Sequence, residues 1–388
     1  MIVKYHGINY EGKANSLSRI ENVKTTLRFG NPENIPNPWI TVLIPTYKRR
    51  DLLEHAIRSV LSQWHCDFMW DIVILDNEAD DGKVNETERY IRKLNNARIL
   101  YYRNSRNVRP ADNFNRGLQI ARGEWVCFLH DDDLLIANAL QRMGRLIKAY
   151  EFLDKKPLGA ISAQYYQFFY DNDQDICYAD IPGLNTYFCN LPFSYRLFQL
   201  THANLWMTAN IGGDVPSNGT TFNRKAALEC EGFVDEFGIS GDLILFYRME
   251  NHYSVYSTLQ PFGFYRWGGN SMSKPESTRA VIKDGYDFRE YVYSKNVLSR
   301  IAGKIMRRSH YKLFSDAVID AKNLGMPVEK YIKKENFYLD GVGKPSKLWY
   351  FIYVHVIKLV YIRYRMWQAA RKAKLAWKYE QKNTEELK

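Results

Sequence analysis

The sequence predicts an α/β fold in which a mostly parallel central sheet is flanked by helices and followed by a C-terminal helical extension. Short apolar runs alternate with segments of helical periodicity between residues 39 and 150, and the connections between them are short. Polar residues directly follow several of these runs, as expected where parallel strands end at one edge of a sheet.

The predicted elements alternate from the first buried strand to the helix that ends at residue 150. The strands are predicted at 39–44, 71–75, 98–102 and 125–129, and the helices at 52–63, 84–95, 110–121 and 134–150. The strands are apolar without strict alternation, which is typical of strands buried on both faces. Right-handed crossovers would then gather the polar ends of the first, second and fourth strands at one edge.

The fourth predicted strand ends abruptly in the acidic stretch His130, Asp131, Asp132 and Asp133. Adjacent carboxylates repel each other unless positive charge lies between them, and a divalent cation with oxygen ligands is the simplest such charge. The stretch therefore predicts a metal and diphosphate site at the carboxyl end of a strand. The alternative is an exposed acidic turn that caps the next helix.

The chain is strongly basic, with 54 Lys and Arg against 43 Asp and Glu and a formal net charge of +11. Such an excess favours polyanionic partners, such as nucleic acid or an anionic membrane. The five cysteines are scattered, so we expect reduced thiols and neither a disulfide framework nor a zinc site. No signal-peptide pattern and no apolar run of ~20 residues is found, so we expect a cytoplasmic protein without a spanning helix.

Four motifs, in this order along the chain, resemble family 2 glycosyltransferases of the GT-A fold. They are Ile44–Arg49, Ile74–Asn77 with Asp80–Gly82, Asn107–Asn113 with Gly117–Glu124, and Phe128–Asp133. The resemblance covers residues 39–150 well and continues more weakly to about residue 275.

The resemblance implies a Rossmann-like GT-A domain at 39–284. Its nucleotide-sugar half is expected at 39–150 and its acceptor half at 151–284. We expect an N-terminal extension or linker at 1–38, a helical extension at 285–344 and a basic, aromatic, amphipathic helix at 345–388.

The resemblance also implies a site for a nucleotide-sugar donor on the loops after the first two strands. A carboxylate that accepts a base N–H gives a charge-assisted hydrogen bond. The implied donor-binding residues are Pro45, Thr46 and Tyr47 at base and ribose, Asp76 at the base, Arg109 and Asn113 near the donor, and Arg266 at the diphosphate. The alternatives are an ordinary acidic turn for Asp76 and solvated helix-start positions for Arg109 and Asn113.

The register of the acidic stretch follows from the family's usual order, Phe-Leu-Asp-x-Asp-Asp. That order implies Asp132 as the principal ligand of Mn²⁺ or Mg²⁺, with Asp133 in support and His130 as a further candidate ligand. Asp131 or His130 would lie nearer the ribose. A simple Asp-x-Asp pattern would select Asp131 and Asp133 instead. The metal would neutralise the departing nucleoside diphosphate.

Asp242 matches the family's general base, which takes the proton of the acceptor hydroxyl in an inverting displacement. The family has an acidic residue directly before this base, and Gly241 stands there in this chain. The alternative is that Asp242 caps the helix predicted at 243–250.

The longest apolar and aromatic stretch, 348–362, runs into a basic segment that contains Trp367 and Trp377. His355 and Lys358 interrupt the stretch, so the pattern favours a helix at the membrane interface over a spanning helix. The alternative is a terminal helix packed on the catalytic domain or on a partner in a dimer. Nucleic acid is not expected, since no recognition module is found.

The residues and the resemblance predict a metal-dependent, inverting glycosyltransferase that acts on a UDP- or GDP-sugar. Its acceptor would be a carbohydrate or lipid-linked glycan for cell-surface polysaccharide or glycolipid synthesis at the inner face of the membrane. One alternative is a catalytically silent glycan-binding or scaffold protein, which the glycine at position 241 keeps open. Another is a sugar-phosphate nucleotidyltransferase.

Overall fold

The computed structural model describes residues 9–64, 66–169, 177–179, 197–204, 219–236, 241–267, 284, 287–301, 303, 306 and 347–386. The strands are β1 (Thr25–Phe29), β2 (Ile40–Thr46), β3 (Trp70–Asp76), β4 (Ile99–Asn104), β5 (Trp125–Phe128), β6 (Leu134–Leu135), β7 (Leu158–Phe169), β8 (Cys177–Ala179), β9 (Leu200–His202), β10 (Thr221–Asn223) and β11 (Ser254–Trp267). The helices are α1 (Arg50–Leu61), α2 (Glu86–Leu94), α3 (Pro110–Ile120), α4 (Ala139–Tyr150), α5 (Arg224–Glu229), α6 (Gly241–His252), α7 (Lys347–Ile352) and α8 (Lys358–Glu386).

Strands β4, β3, β2 and β5 lie side by side in that order and run parallel. Helices α1, α2 and α3 connect them. Val42 and Ile44 pack into one core and Leu43 into the core on the opposite face, which explains the unbroken apolar run of β2. The predicted α/β fold, with a parallel central sheet flanked by helices, is confirmed.

The sheet continues beyond β5 with strands of mixed direction. Strand β10 pairs antiparallel with both β5 and β7, and β11 runs parallel to β7. Strand β11 also pairs with β6, directly after the acidic stretch. This pairing brings the end of a late strand back to the carboxyl edge of the parallel half.

The segment 9–38, expected to be a linker or an extra layer, packs against the sheet and its helices. Strand β1 is antiparallel to β4 and extends the sheet by one edge strand. Tyr10 is buried, with its ring 5.6 Å from that of Phe288. Arg19 Nη2 lies 2.6 Å from both Asp112 Oδ1 and Asp235 Oδ1. These contacts join the segment to α3, through Asp112, and to Asp235 and Phe288 later in the chain.

One predicted boundary is wrong. The helix expected to begin at Leu134 begins at Ala139, because Leu134 and Leu135 form β6 instead. Leu134 pairs with Phe264 and Leu135 with Gly263. The pairing partners lie far away in sequence, so local periodicity could not indicate this strand.

The C-terminal helix α8 packs on the α/β domain, against α4 and β9. Ala369, Ala373 and Ala376 are buried in this contact, and Arg145 Nη2 donates to Glu380 Oε2 at 2.8 Å. A π-helical turn, Tyr353–Ile357, joins α7 to α8. Among the helices of the described part of the chain, none is both long and apolar enough to cross a membrane.

Candidate active site at the carboxyl edge of the parallel strands

The site is built where β2, β3 and β5 end together. Thr46, the last residue of β2, is in register with Asp76, the last residue of β3. Strand β5 flanks β2 on the other side, and Leu129 N donates to Leu43 O at 3.0 Å as the chain leaves β5. The acidic stretch that follows therefore lies beside the loop after β2, as the predicted topology requires.

The loop after β2 contacts the acidic stretch through Thr46 and Arg49. Thr46 Oγ1 donates to Asp131 Oδ2 at 2.7 Å. Arg49 Nη1 donates to Asp131 Oδ1 at 3.0 Å and to Asp132 Oδ2 at 2.9 Å. One guanidinium group thus bridges two neighbouring carboxylates and reduces their mutual repulsion.

Arg266 approaches the same stretch from β11. Its backbone N–H donates to Asp133 Oδ1 at 2.8 Å, and its Nε donates to the carbonyl oxygen of Asp132 at 2.8 Å. Both Arg266 and Asp133 are buried. The structure therefore brings together the predicted residues Thr46, Asp131, Asp132, Asp133 and Arg266.

Burial makes the carboxylates of this site harder to ionise. Burial raises the pKa of Asp131 to about 6, although the Arg49 guanidinium acts in the opposite direction. Burial also raises the pKa of Asp133 well above its usual range, and the nearby Asp132 carboxylate adds to the rise. Burial and the carboxylates act oppositely on Arg49: burial lowers its pKa, but Asp131 and Asp132 outweigh this and raise it.

His130 is partly buried between aromatic rings at the start of the acidic stretch. Its ring centroid lies 5.5 Å from that of Phe128 and 5.8 Å from that of Phe114. Burial lowers the pKa of His130, and Asp132 partly offsets that effect. The imidazole is therefore neutral at pH 7, the form that can accept a hydrogen bond or bind a metal.

The donor set fits a hard cation that completes its coordination with ligand oxygens. Asp133 Oδ2 is buried and has no hydrogen-bond partner among the described residues. A buried carboxylate oxygen without a hydrogen-bond partner destabilises the folded state unless a cation or a hydrogen-bond donor of a ligand contacts it. Magnesium-type cations are commonly held by one or two carboxylates plus substrate phosphates. Within the described ranges, no group of three His, Cys, Asp or Glu side chains forms a preassembled metal site.

Asp76 is fully buried and is held by three donors from within the chain. Its Oδ2 accepts from Tyr101 Oη at 2.7 Å and from Asn85 Nδ2 at 2.9 Å, and its Oδ1 accepts from Glu78 N at 2.8 Å. Burial raises its pKa, although these donors partly oppose the rise. The carboxylate is thus fixed at the floor of the loop after β3.

The other predicted donor-side residues occupy different settings. Pro45 is buried within β2, whereas Tyr47 is 45% exposed at the start of the loop. Asn113 is buried, and its Oδ1 accepts from Asn104 Nδ2 at 2.8 Å. The Arg109 side chain is 64% exposed, and its Nη1 lies 3.6 Å from Asp235 Oδ2. Arg109 is thus turned toward Asp235, which also pairs with an arginine of the N-terminal segment.

Asp242 lies on a separate element, in the first turn of α6. Its Oδ1 accepts the backbone N–H of Leu243 at 2.8 Å, and the side chain is partly exposed. This position agrees with the helix-start alternative and also leaves a carboxylate at the protein surface. Gly241 is buried, and a Cβ there would lie 3.0 Å from Val234 O. Close backbone packing therefore explains the glycine at the position where the family has an acid.

Sequence reasoning missed three residues that shape this edge: Arg49, Asn85 and Tyr101. The sequence contains a signal for Arg49, because this residue ends the motif Ile44–Arg49, which follows the predicted strand 39–44. Asn85 caps α2 through a hydrogen bond from Glu88 N, and its amide also reaches Asp76. Tyr101 lies inside a strand and looks like an ordinary core residue, so no local pattern identified it.

The fold and the site define an α/β domain with an acidic, arginine-bridged ligand site at the carboxyl edge of its parallel strands. Residues 41–186 match the sequence model of Glycosyl transferase family 2. The resemblance found from the motifs is therefore confirmed for this part of the chain.

Two curated relatives are each similar to part of the chain. The "GalNAc(5)-diNAcBac-PP-undecaprenol beta-1,3-glucosyltransferase" of Campylobacter jejuni is 36% identical over 109 residues, which are 27% of this chain and 33% of that protein. The "Putative colanic acid biosynthesis glycosyl transferase WcaA" of Escherichia coli is 29% identical over 165 residues, 42% of this chain and 53% of that protein. The chain thus matches about a third to a half of the length of these relatives.

A solved structure with a similar course of the chain is the "Crystal structure of S. aureus TarS 1-349 in complex with UDP-GlcNAc". The two share 15% sequence identity with a TM-score of 0.48, over 88% of this chain and 91% of the other.

Proposed function

We propose that this protein is a glycosyltransferase that moves one sugar from a UDP- or GDP-sugar to a hydroxyl group of a carbohydrate or lipid-linked glycan. The observation that carries the proposal is the contact of Thr46 and Arg49 with Asp131 and Asp132, inside the segment that matches the family. The names of the two relatives, a glucosyltransferase and a putative colanic acid transferase, support a role in polysaccharide or glycolipid synthesis.

The donor nucleotide lies over the loops after β2 and β3. Tyr47 is exposed at this edge and offers a face for the base or ribose, and the buried Asp76 holds the floor of the adjacent loop through Tyr101 and Asn85. Arg49 and Arg266 place positive charge at the acidic stretch, where a diphosphate needs it.

Asp132 and Asp133 would hold a Mn²⁺ or Mg²⁺ ion, which would neutralise charge on the departing diphosphate. Asp132 has one oxygen engaged by Arg49, and Asp133 has one oxygen engaged by the backbone of Arg266, so each keeps a second oxygen for a ligand. His130 precedes these acids in the sequence and is an additional candidate metal ligand. Its imidazole is neutral at pH 7 because burial lowers its pKa.

The transfer step is a single displacement at the anomeric carbon. The carboxylate of Asp242 takes the proton of the acceptor hydroxyl as its oxygen bonds to the anomeric carbon. The bond from that carbon to the diphosphate oxygen breaks, and the nucleoside diphosphate leaves with the electron pair. The configuration of the sugar is therefore inverted. This assignment rests on the motif order and on the partly exposed position of Asp242 at the start of α6.

Calorimetric titration with UDP and GDP, with Mn²⁺ present and then chelated, tests the donor site. We expect metal-dependent binding of one of the two nucleotides. Asp132→Asn should remove that binding, whereas Asp51→Asn, a matched change at a side chain that is 86% exposed on α1, should keep it. Absence of binding to either nucleotide would favour the scaffold alternative, and turnover of a nucleoside triphosphate would favour the nucleotidyltransferase.

A further inference from the structure

Helix α8 has two faces of different character. The face against the domain carries small or paired side chains: Ala369, Ala373 and Ala376 are buried, and Lys372 Nζ donates to Asp154 Oδ1 at 2.7 Å. The opposite face is exposed. Since residues three, four and seven apart share one side of a helix, its members form a continuous stripe along the axis.

The exposed stripe is rich in large apolar side chains. Its apolar members on α8, with their exposed fractions, are Val360 (64%), Tyr364 (51%), Trp367 (54%) and Leu375 (57%). Three apolar residues in the turns before α8 are also at least half-exposed: Leu348 (65%), Phe351 (57%) and Val356 (50%). Scattered exposed apolar residues need no explanation, but a row of this length on one helix face indicates an interaction surface.

The same stripe is basic. Arg363, Arg371, Lys374 and Lys378 are exposed on it, and no ion pair joins any of these four side chains to another residue in the described part of the chain. No Asp or Glu occurs between Lys347 and Tyr379. The Arg371 guanidinium lies 4.9 Å from the centre of the Trp367 ring, so cation and aromatic ring are presented together.

We propose that this outward face of α8 binds the surface of an anionic lipid bilayer, with the helix axis in the plane of the interface. Aromatic and aliphatic side chains enter the boundary between headgroups and acyl chains, while arginine and lysine pair with anionic headgroups. Charge complementarity selects this occupant. A second copy of the chain would bring two such basic faces together, and like charges across an interface repel each other.

The inward face of α8 holds the helix against the rest of the protein. Arg145 and Lys372 pair across the contact between α8 and the domain, with Glu380 and Asp154 respectively. The helix can therefore bind lipid with one face while the other keeps it docked on α4. The catalytic domain is then held at the bilayer without a hinge at α8.

Co-sedimentation of the full chain with vesicles tests this proposal. The vesicles are phosphatidylcholine alone, or phosphatidylcholine and phosphatidylglycerol in equal parts. Reversal of three cations, Arg371→Glu with Lys374→Glu and Lys378→Glu, should weaken binding to the anionic vesicles on the order of 100-fold, since each cation contributes about a factor of ten or less. A matched reversal at exposed positions on α2 and directly before β1, Arg89→Glu with Lys93→Glu and Lys24→Glu, should change binding little.

A second variant tests the apolar part of the stripe without altering charge. Val360→Ser with Trp367→Ser and Leu375→Ser removes exposed side chains only, so the thermal midpoint should stay near that of the wild type while vesicle binding is lost. Equal binding by wild type and both stripe variants would overturn the proposal. Equal losses of vesicle binding in the stripe reversal and the control reversal would also overturn it. Binding of an RNA oligonucleotide in place of vesicles would do the same. Self-association of the wild type that the Ser variant abolishes, without vesicle binding, would assign the stripe to a second copy.

Discussion

A single nitrogen of Arg49 lies 3.0 Å from Asp131 Oδ1 and 2.9 Å from Asp132 Oδ2, so one cation bridges the two acids proposed to face the donor. The guanidinium competes with any cation for Asp132 and, at the same time, offers a partner to a diphosphate. These two roles have opposite consequences when the charge is removed.

Arg49→Gln should therefore tighten binding of Mn²⁺ alone and weaken binding of the nucleoside diphosphate. Loss of the guanidinium makes the local potential more negative, which favours a divalent cation, and it removes a charge-assisted partner worth about 1.5–3 kcal/mol from the diphosphate. Titration of Mn²⁺ followed by electron paramagnetic resonance, and calorimetry for the nucleotide, measure the two effects separately.

The matched control for this change is Arg58→Gln, at a side chain on α1 that is 66% exposed and pairs with Glu54. It should leave both affinities unchanged. Equal weakening of metal and nucleotide by Arg49→Gln would mean that Arg49 only supports the fold of the loop.

The sequence predicted the parallel half of the fold well because each strand there is a buried, uninterrupted apolar run. The predicted strand 71–75 is observed as Trp70–Asp76, and the predicted helix 110–121 as Pro110–Ile120. Prediction failed at Leu134 and Leu135, whose pairing with β11 depends on residues more than 120 positions away. Long-range pairing of a two-residue strand leaves no periodic pattern.

The candidate site was predicted in part for the same reason. The acidic stretch and Thr46 follow from strand ends, which local sequence reveals. The position of Arg49 depends on the turn before α1, where Lys48 has a φ of 54°, and a left-handed residue of this kind is not indicated by the sequence around it. The partners of Asp76 come from β4 and from the cap of α2, so only the folded chain brings them together.

Asp242→Asn should spare donor binding and lower the rate of transfer. An amide cannot take the proton of the acceptor hydroxyl, and general base catalysis typically contributes about 10²–10⁴-fold. The hydrogen bond from Leu243 N can be kept by the amide oxygen, so the start of α6 should stay folded. Transfer is measured as release of nucleoside diphosphate with a panel of glycan acceptors, and binding by calorimetry. Unaltered transfer would place the base elsewhere and leave Asp242 as a helix-start residue.

The buried Asp131 predicts a pH dependence of stability in the metal-free protein. Burial raises its pKa in the folded state to about 6, against about 3.9 in an unfolded chain. Between these values the folded state binds more protons than the unfolded state, so the free energy of unfolding falls as the pH rises through this window. The contribution is fully present below about pH 4 and lost above about pH 6, and it amounts to about 3 kcal/mol at most.

Urea unfolding between pH about 4 and about 7 measures this effect, with Asp131→Asn as the comparison. The variant carries no titrating group at this position, so its stability should fall less steeply with pH than that of the wild type. Parallel pH profiles would show that Asp131 titrates near its ordinary value.

Tyr101→Phe should destabilise the protein by about 1–3 kcal/mol, because it removes a buried donor from the Asp76 carboxylate. The hydroxyl lies 2.7 Å from Asp76 Oδ2, and both residues are fully buried. Tyr102→Phe is the matched control on the same strand, since no hydrogen bond of the Tyr102 hydroxyl is found within the described residues. The midpoint of urea unfolding measures both. Equal effects of the two changes would mean that the hydrogen bond to Asp76 adds no stability.

Ala373→Leu should destabilise the contact between α8 and the domain, since Ala373 is fully buried and a larger side chain has no room there. Overpacking of this kind typically costs about 1–3 kcal/mol. Limited proteolysis near the C-terminus and the thermal midpoint measure the loss, and Leu375→Ala, at an exposed position on the same helix, is the control. If the variant unfolds like the wild type and its C-terminal segment resists protease equally, α8 is not held through this alanine face. If instead the segment is cleaved more readily while the metal-dependent nucleotide affinity is unchanged, α8 is a docked extension that the donor site does not need in order to form.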